Sequence, residues 1–337
     1  MMVSGIDHRK RHMLIIPDSV AAELVDFSQV IEAVEGAFRA LDDGSGKNFD
    51  VVLGHASKPE NGFAIKSGVN SAIPRAGFKV GSYFPSLRDR GMPAHSSTIF
   101  LLDEETGRPA AAIGANGLNG MRTAAANAAA TRLLAREQAR ILGVVGAGHQ
   151  AAYEAHAVCL VRPIERIYFW SPTGRRSEQF VKEVTERTGI RPEPSDLAEL
   201  VMRAEVLVTV TPSRKPLVDR AWIRPGAHIS AMGADAVGKQ ELDPKILARA
   251  SVYVDSPDQA MAIGECQHAF QLGLIAANSL RTHTLGRLLN GRIEGRKTAD
   301  EVTLFDSSGM ALQDIAVGEL VYRRALERAD LVTAPLL

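Results

Sequence analysis

Three residues in this chain have the type and the setting to do chemistry: Asp235, Lys79 and Arg122. Asp235 follows the apolar run 228–232 and lies between Gly233 and Gly238. A carboxylate so placed can act as a general acid or base once partly desolvated. It can equally be an Asx-turn residue that caps a helix. Lys79 sits in Gly77-Phe78-Lys79-Val80-Gly81-Ser82-Tyr83. On a strand it either points into a site or faces solvent on the alternate side. Arg122 opens an alanine-rich segment that reads as a helix over 123–135. An arginine at a helix start gains nothing from the helix dipole, so an anionic partner is expected. His95 and His268 read as structural residues. No cluster of His, Cys and acids has metal-ligand spacing, so no metal site is expected. Gly-x-Ser-x-Gly is absent, which removes the serine hydrolases of that type.

The elements that must position these residues are organised around 140–171. The apolar run 140–145 reads as a buried parallel strand. It leads directly into Gly146-Ala147-Gly148-His149-Gln150-Ala151, and residues 151–158 read as a helix. A second strand, 164–170, completes a βαβ unit. In this context Gly-x-Gly-x-x-Ala is a dinucleotide site. Gly146 allows the tight turn, Gly148 lets a pyrophosphate approach, and Ala151 lets the helix pack closely. The helix N-terminus then offers N–H groups and a positive dipole end to the phosphates. An acid at the end of the second strand would bind the ribose 2′-hydroxyl of NAD. The chain instead reads Ser171-Pro172-Thr173-Gly174-Arg175-Arg176. A hydroxyl and two arginines suit a 2′-phosphate, which leans the expectation toward NADP. The arginines can also be solvated residues at a helix start.

With 337 residues, 45% of them apolar, the chain is long enough for two domains. A formal net charge of zero gives no footprint for nucleic acid. Two distant cysteines form neither a disulfide framework nor a zinc motif, which fits a cytoplasmic protein. The polar start 1–10 lacks the apolar core of a signal peptide, and no run is long enough to span a membrane.

In chain order, a short strand at 13–16 precedes a helix at 27–41 with Asp26 as its N-cap. Strand candidates follow at 51–53, 62–65, 76–84, 97–102 and 109–113, separated by turn signals. This block reads as an antiparallel sheet with a flanking helix. Small side chains suit the alanine helix to an interface between domains. Strand and helix then alternate, with further strands at 205–210, 228–232, 251–254 and 302–305. The expected fold class is α/β: a Rossmann-type doubly wound parallel sheet over 137–306. A smaller α+β domain is built from 1–136 and 307–337, with the last helix, 310–328, covering its sheet. The ligand belongs at the carboxyl ends of the parallel strands, at Gly146, Ser171, Thr211 and Gly233.

At these residues the chain resembles the ornithine cyclodeaminase and mu-crystallin family of NAD(P)-dependent enzymes. The likeness runs over nearly the whole length. It is carried by Pro93-x-His95, Thr106-Gly107, the segment from Met121 to Ala126, Gly146-Ala147-Gly148-x-Gln150 and the stretch from Asp235 to Leu242. The stretches Gly264 to Ala269 and Gly238 to Pro244 look most like imine-reducing members such as iminosuccinate reductase. The resemblance implies a homodimer whose chain ends form the dimerising, substrate-binding domain. It implies Asp235 as acid/base at the nitrogen, with Lys79 and Arg122 binding a carboxylate and polarising the reacting carbon. The expected cofactor set is Gly146, Gly148, His149, Gln150, Ser171, Thr173, Arg175, Thr211, Thr123, Met232 and Gly233. The expected substrate set is Lys66, Lys79, Arg122 and Ser308. Leu53 departs from the family, in which many members carry an arginine in that early strand; Lys66, one strand later, is the substitute. The expected reaction is NAD(P)H-dependent reduction of an α-imino acid to an α-amino acid. Cyclising deamination is the alternative, and a cofactor-bearing binding protein is the reading from another class.

Overall fold

The structure is a computed structural model that describes residues 12–328 and 330–335. The polar start at 1–10, read above as lacking a signal peptide, lies outside the described residues. The chain divides into two compact units. One takes the residues up to Arg122 and those from Met310, and the other is Thr123–Gly309. The division passes through the alanine-rich helix Asn116–Leu134 rather than behind it. No helix of the described residues is long and apolar enough to cross a membrane.

The first unit is built on an eight-stranded sheet. Along its path, Val332–Pro335 is followed by His12–Ile16, Pro109–Gly114, His95–Leu102, Arg75–Tyr83, Gly62–Asn70 and Gly46–Asn48. Val52–His55 pairs off this path with Gly62–Asn70. The expected strands are present, but the sheet is not wholly antiparallel: His12–Ile16 runs parallel to Pro109–Gly114. These two are separated by most of the unit, so no hairpin fixes their relative direction. The edge strand Val332–Pro335 was not foreseen; it pairs antiparallel to His12–Ile16.

The helix Phe27–Asp43 starts at Asp26 with a capping box to Gln29 and stops at Gly44, whose φ of 84° only glycine adopts readily. The helix Ala311–Ala325 packs on that helix and on the sheet. Its apolar residues are buried on nearly every side, as expected of a helix clamped between two layers. Gly318 permits the close approach, since a Cβ there would stand 3.0 Å from Ile99 Cγ2.

The second unit holds a seven-stranded sheet with the order Glu193–Pro194, Arg166–Trp170, Ile141–Val145, Val206–Thr209, His228–Ala231, Thr303–Asp306, Ser251–Val254. Every pairing in it is parallel. The order reverses between Ile141–Val145 and Val206–Thr209, which is the switch point where such sheets bind ligands. Gly143 lies within that first strand because a Cβ would meet Leu200 Cδ2 at 2.7 Å. A small parallel pair, Arg214–Val218 with Gln240–Leu242, lies outside the main sheet.

Candidate active site

Within the first unit, Lys79 lies on the strand Arg75–Tyr83, directly opposite Lys66 in register. Phe78 turns to the other face and stacks on Phe100 with ring centroids 5.0 Å apart. Lys79 is therefore the inward lysine of the two readings, and it is buried. Its Nζ donates to Asn119 Oδ1 at 3.0 Å and to Asp314 Oδ1 at 2.9 Å. Burial first, and then the Arg122 charge, bring the Lys79 ammonium down from 10.5 to about 7, against the pull of Asp314.

Arg122 lies further inside its helix than expected, because the helix begins at Asn116. The Asp18 carboxylate, from the short helix Asp18–Glu23, accepts from Gly117 N at 3.1 Å and serves the early turn. Arg122 therefore does not stand at a helix start, but the anionic partner expected of it is present. Arg122 Nε lies 3.1 Å from Asp314 Oδ1, its NH2 donates to Asn119 Oδ1 at 2.7 Å, and its NH1 donates to Gln313 Oε1 at 3.2 Å. Asp314 is buried, which works to raise its carboxyl, yet Lys79 and Arg122 outweigh this and hold it low. Two buried cations share one carboxylate, with Lys66 felt nearby. An ammonium has three N–H groups and a guanidinium five, more than these partners accept. The cluster has positive charge and donors to spare, which is the chemistry of an anion site.

Within the second unit, the turn after Ile141–Val145 has the geometry of a phosphate cradle. Gly146 adopts φ of 121°, donates to Trp170 O at 2.8 Å, and has no room for a Cβ, which would stand 2.8 Å from Val210 O. Gly148 is the opposite case: a Cβ there meets no atom within 4 Å. The helix His149–Val161 starts at Gly148, which brings no side-chain cap, and its first turn holds no acid. Such an end suits a dinucleotide pyrophosphate. His149 is exposed and packs edge-on to Tyr153 at 5.2 Å. Gln150 Nε2 donates to Glu154 Oε1 at 2.7 Å. Ser171 is half-buried at the end of the second strand, and Thr173, Arg175 and Arg176 are exposed beyond it.

Thr211 and Gly233 follow the next two strands of the sheet, and Met232 is buried beside them. A single carboxylate joins these turns: Glu241 Oε1 accepts from Thr211 N at 2.6 Å and Oε2 from Gly233 N at 3.1 Å. Burial pushes the Glu241 carboxyl up to about 7. Asp235, two residues past Gly233, has a side chain 60% exposed and forms an ion pair with Lys239. Ser308, expected to meet substrate, donates its N–H at 2.7 Å and its hydroxyl at 3.0 Å to Asp255. Thr123 is the first residue of the second unit and is half-buried.

The structure thus gathers Lys66, Lys79 and Arg122 in the first unit, and the glycine turn, Ser171, Thr211, Met232 and Gly233 along one sheet edge in the second. Sequence reasoning assigned no role to Asn119, Gln313, Asp314 or Glu241. Asp314 carried a usable signal: an acid in the run Leu312-Gln313-Asp314-Ile315-Ala316-Val317, where a buried charge demands a partner. Leu53 is 78% exposed on the strand Val52–His55.

The sequence profile of the ornithine cyclodeaminase/mu-crystallin family matches residues 10–329. The chain is 36% identical over 313 residues to the iminosuccinate reductase of Paracoccus denitrificans, covering 93% of this chain and 97% of that protein. The crystal structure of that reductase in complex with NAD+ superposes with a TM-score of 0.91 at 35% identity, covering 96% and 99% of the two chains. An archaeal alanine dehydrogenase dimer with bound NAD gives 0.90 at 32% identity, covering 97% of this chain and 100% of that one. The Δ1-pyrroline-2-carboxylate reductase of Thermococcus litoralis, in complex with NADH and L-proline, gives 0.91 at 29% identity, covering 96% and 100%. With a profile match over nearly its full length and relatives above 30% identity, the chain belongs to the ornithine cyclodeaminase/mu-crystallin family.

Proposed function

We propose that this protein is an NAD(P)H-dependent oxidoreductase acting on C–N bonds, which reduces a small α-imino acid to the α-amino acid. The imine is a ketimine of the iminosuccinate or pyrroline-carboxylate kind, as the names of its relatives suggest. The observation that carries the reading is the buried Lys79–Asp314–Arg122 cluster, with positive charge left over for a substrate carboxylate. It is favoured over a binding protein because a site built only to hold a cofactor does not require a second, buried anion site.

The cradle fits a dinucleotide: Gly148 leaves open the space a side chain would fill, and the helix behind it is uncapped. Gly146, Gly148, His149 and Gln150 would hold the pyrophosphate. Ser171, Thr173 and Arg175 would hold the adenosine ribose, and Thr123, Thr211, Met232 and Gly233 the remainder. Arg175 and Arg176, with no acid at that strand end, support NADPH over NADH as the finer choice. When bound, the dihydronicotinamide supplies the hydride taken up by the imine carbon. Arg122 and Lys79 bind the carboxylate and orient the C=N bond. Asp235 gives the nitrogen its proton as the carbon becomes tetrahedral; Lys79, which titrates near neutrality, is the second group able to exchange one. A homodimer in the cytoplasm is proposed with this activity, in keeping with the dimeric alanine dehydrogenase.

The test is a panel of α-keto acids with ammonium or methylamine, and of cyclic imino acids, with NADH and NADPH. Asp235→Asn is expected to lower turnover on the best imine by about 10²- to 10⁴-fold, while cofactor titration stays near wild type. A wild type inactive on every imine refutes the reaction. A fully active Asp235→Asn variant moves the proton to Lys79.

A further inference from the structure

Four buried carboxylates in the second unit follow one another in an order that ends at the ligand edge. Asp255 accepts from Ser308 N and Gly309 N, both at 2.7 Å, just after Asp306 in the chain. Asp306, the last residue of its strand, accepts from Glu265 N at 3.0 Å and Cys266 N at 2.9 Å. Glu265 accepts from Glu241 N at 3.0 Å and Leu242 N at 2.7 Å. Glu241 accepts from Thr211 N and Gly233 N. Each of the first three side chains therefore seats the backbone at or just beyond the next acid, and Glu241, the fourth, seats the two strand-end turns. Asp306 is also the register partner of Ala231, two residues before Gly233. The bonds close a circuit across the carboxyl edge of the sheet. Among the described residues these acids form no group able to hold a metal ion; their acceptors are occupied by backbone N–H groups.

The end of the series is the tightest point. A Cβ on Gly233 would stand 2.3 Å from Glu241 Oε2 and 2.5 Å from Thr211 O. A glycine, a carboxylate and a neighbouring turn thus meet where no further atom fits. Buried acids used only to fill space would be replaced at no loss by apolar residues. Two acceptor oxygens spanning two strand-end turns do something an apolar residue cannot.

We propose that Glu241 is a positioning residue: its carboxylate holds the Thr211 and Gly233 turns at a fixed spacing, so that the cofactor edge and Asp235 are presented as one rigid surface. This rests on the assignment of that edge to a dinucleotide and of Asp235 to the reaction. Gln at 241 keeps one acceptor oxygen but turns an NH2 toward one of the two N–H groups, so one turn is released. Ala releases both.

The test compares Glu241→Gln, Glu241→Ala and a core control, Leu304→Val, by amide hydrogen exchange, NADH titration and steady-state kinetics. In Glu241→Gln, exchange should rise within 209–213 or 231–236 and not within 141–147. The kcat on the imine should fall by up to about 10²-fold, the cost of a misplaced catalytic group, with KM little changed. Leu304→Val should lower Tm without either effect. Wild-type exchange at both turns overturns the proposal, as does raised exchange with unchanged kcat. If Glu241→Ala does not fold, Glu241→Gln alone decides. A wild type that reduces no imine refutes the reaction assigned above; the clamp then stands only if Glu241→Gln raises exchange at the turns and weakens NADH binding.

Discussion

Replacing Lys79 with Met tests the reading of the anion site through stability, with no substrate present. A fall of the Lys79 ammonium from 10.5 to about 7 on folding corresponds to about 5 kcal/mol at 1.36 kcal/mol per pH unit. The sign follows from where the proton sits. Below pH 7 the native and unfolded chains both hold it, and this group adds no pH dependence. Between 7 and 10.5 the native protein has released it while the unfolded chain still binds it, so raising the pH favours the native state. The Met variant has no such proton and keeps the same shape in the strand. The unfolding free energy of wild type minus that of Lys79→Met should therefore climb by about 1.4 kcal/mol per pH unit across this window. Urea unfolding followed by circular dichroism from pH 6 to 10 measures it, and the difference cancels groups common to both proteins. The same proton should appear in kinetics: if a charged Lys79 helps hold the carboxylate, kcat/KM falls with rising pH above about 7. Parallel stability curves for the two proteins would show that Lys79 is not the buried, shifted cation described above, and the carboxylate site would lose its main support.

The two glycines of the cradle should respond in opposite ways. Gly148→Val has open space and should keep Tm while abolishing NADH and NADPH binding; Gly146→Ala meets Val210 O at 2.8 Å with φ of 121° and should cost about 1–3 kcal/mol of stability. Calorimetry and fluorescence titration separate the two, and unchanged cofactor affinity in Gly148→Val would remove the dinucleotide from this turn. Replacing Arg175 and Arg176 together with Ala should weaken NADPH by about 1–3 kcal/mol and spare NADH; equal loss for both cofactors, or none, would end the preference for NADPH.

What the sequence determined by itself is what local physics can write down. The run into Gly146-Ala147-Gly148 specifies a buried strand, a turn and a helix within a dozen neighbouring residues, and the structure has them in those places. Asp26 and Gly44 bracket a helix whose periodicity is equally local. Stretches such as Met121 to Ala126 were legible only through their resemblance to the family. The rest depended on partners distant in sequence. Lys79 had two open readings until Asp314, 235 positions away, was seen to seat it. Arg122 was placed at a helix start because the run of alanines begins just after it, whereas the helix begins at Asn116 and Asp18, 99 positions away, serves that early turn. Glu241 lay within a family-like stretch yet its role was not legible, since its two oxygens accept from turns that only the stacking of parallel strands makes adjacent. Parallel pairing of His12–Ile16 with Pro109–Gly114 was likewise invisible, because no short connection constrains it. Periodicity and turn chemistry are properties of neighbours in the chain. Burial of a charge, and therefore its proton affinity and its use, is a property of neighbours in space, and only the tertiary structure decides it.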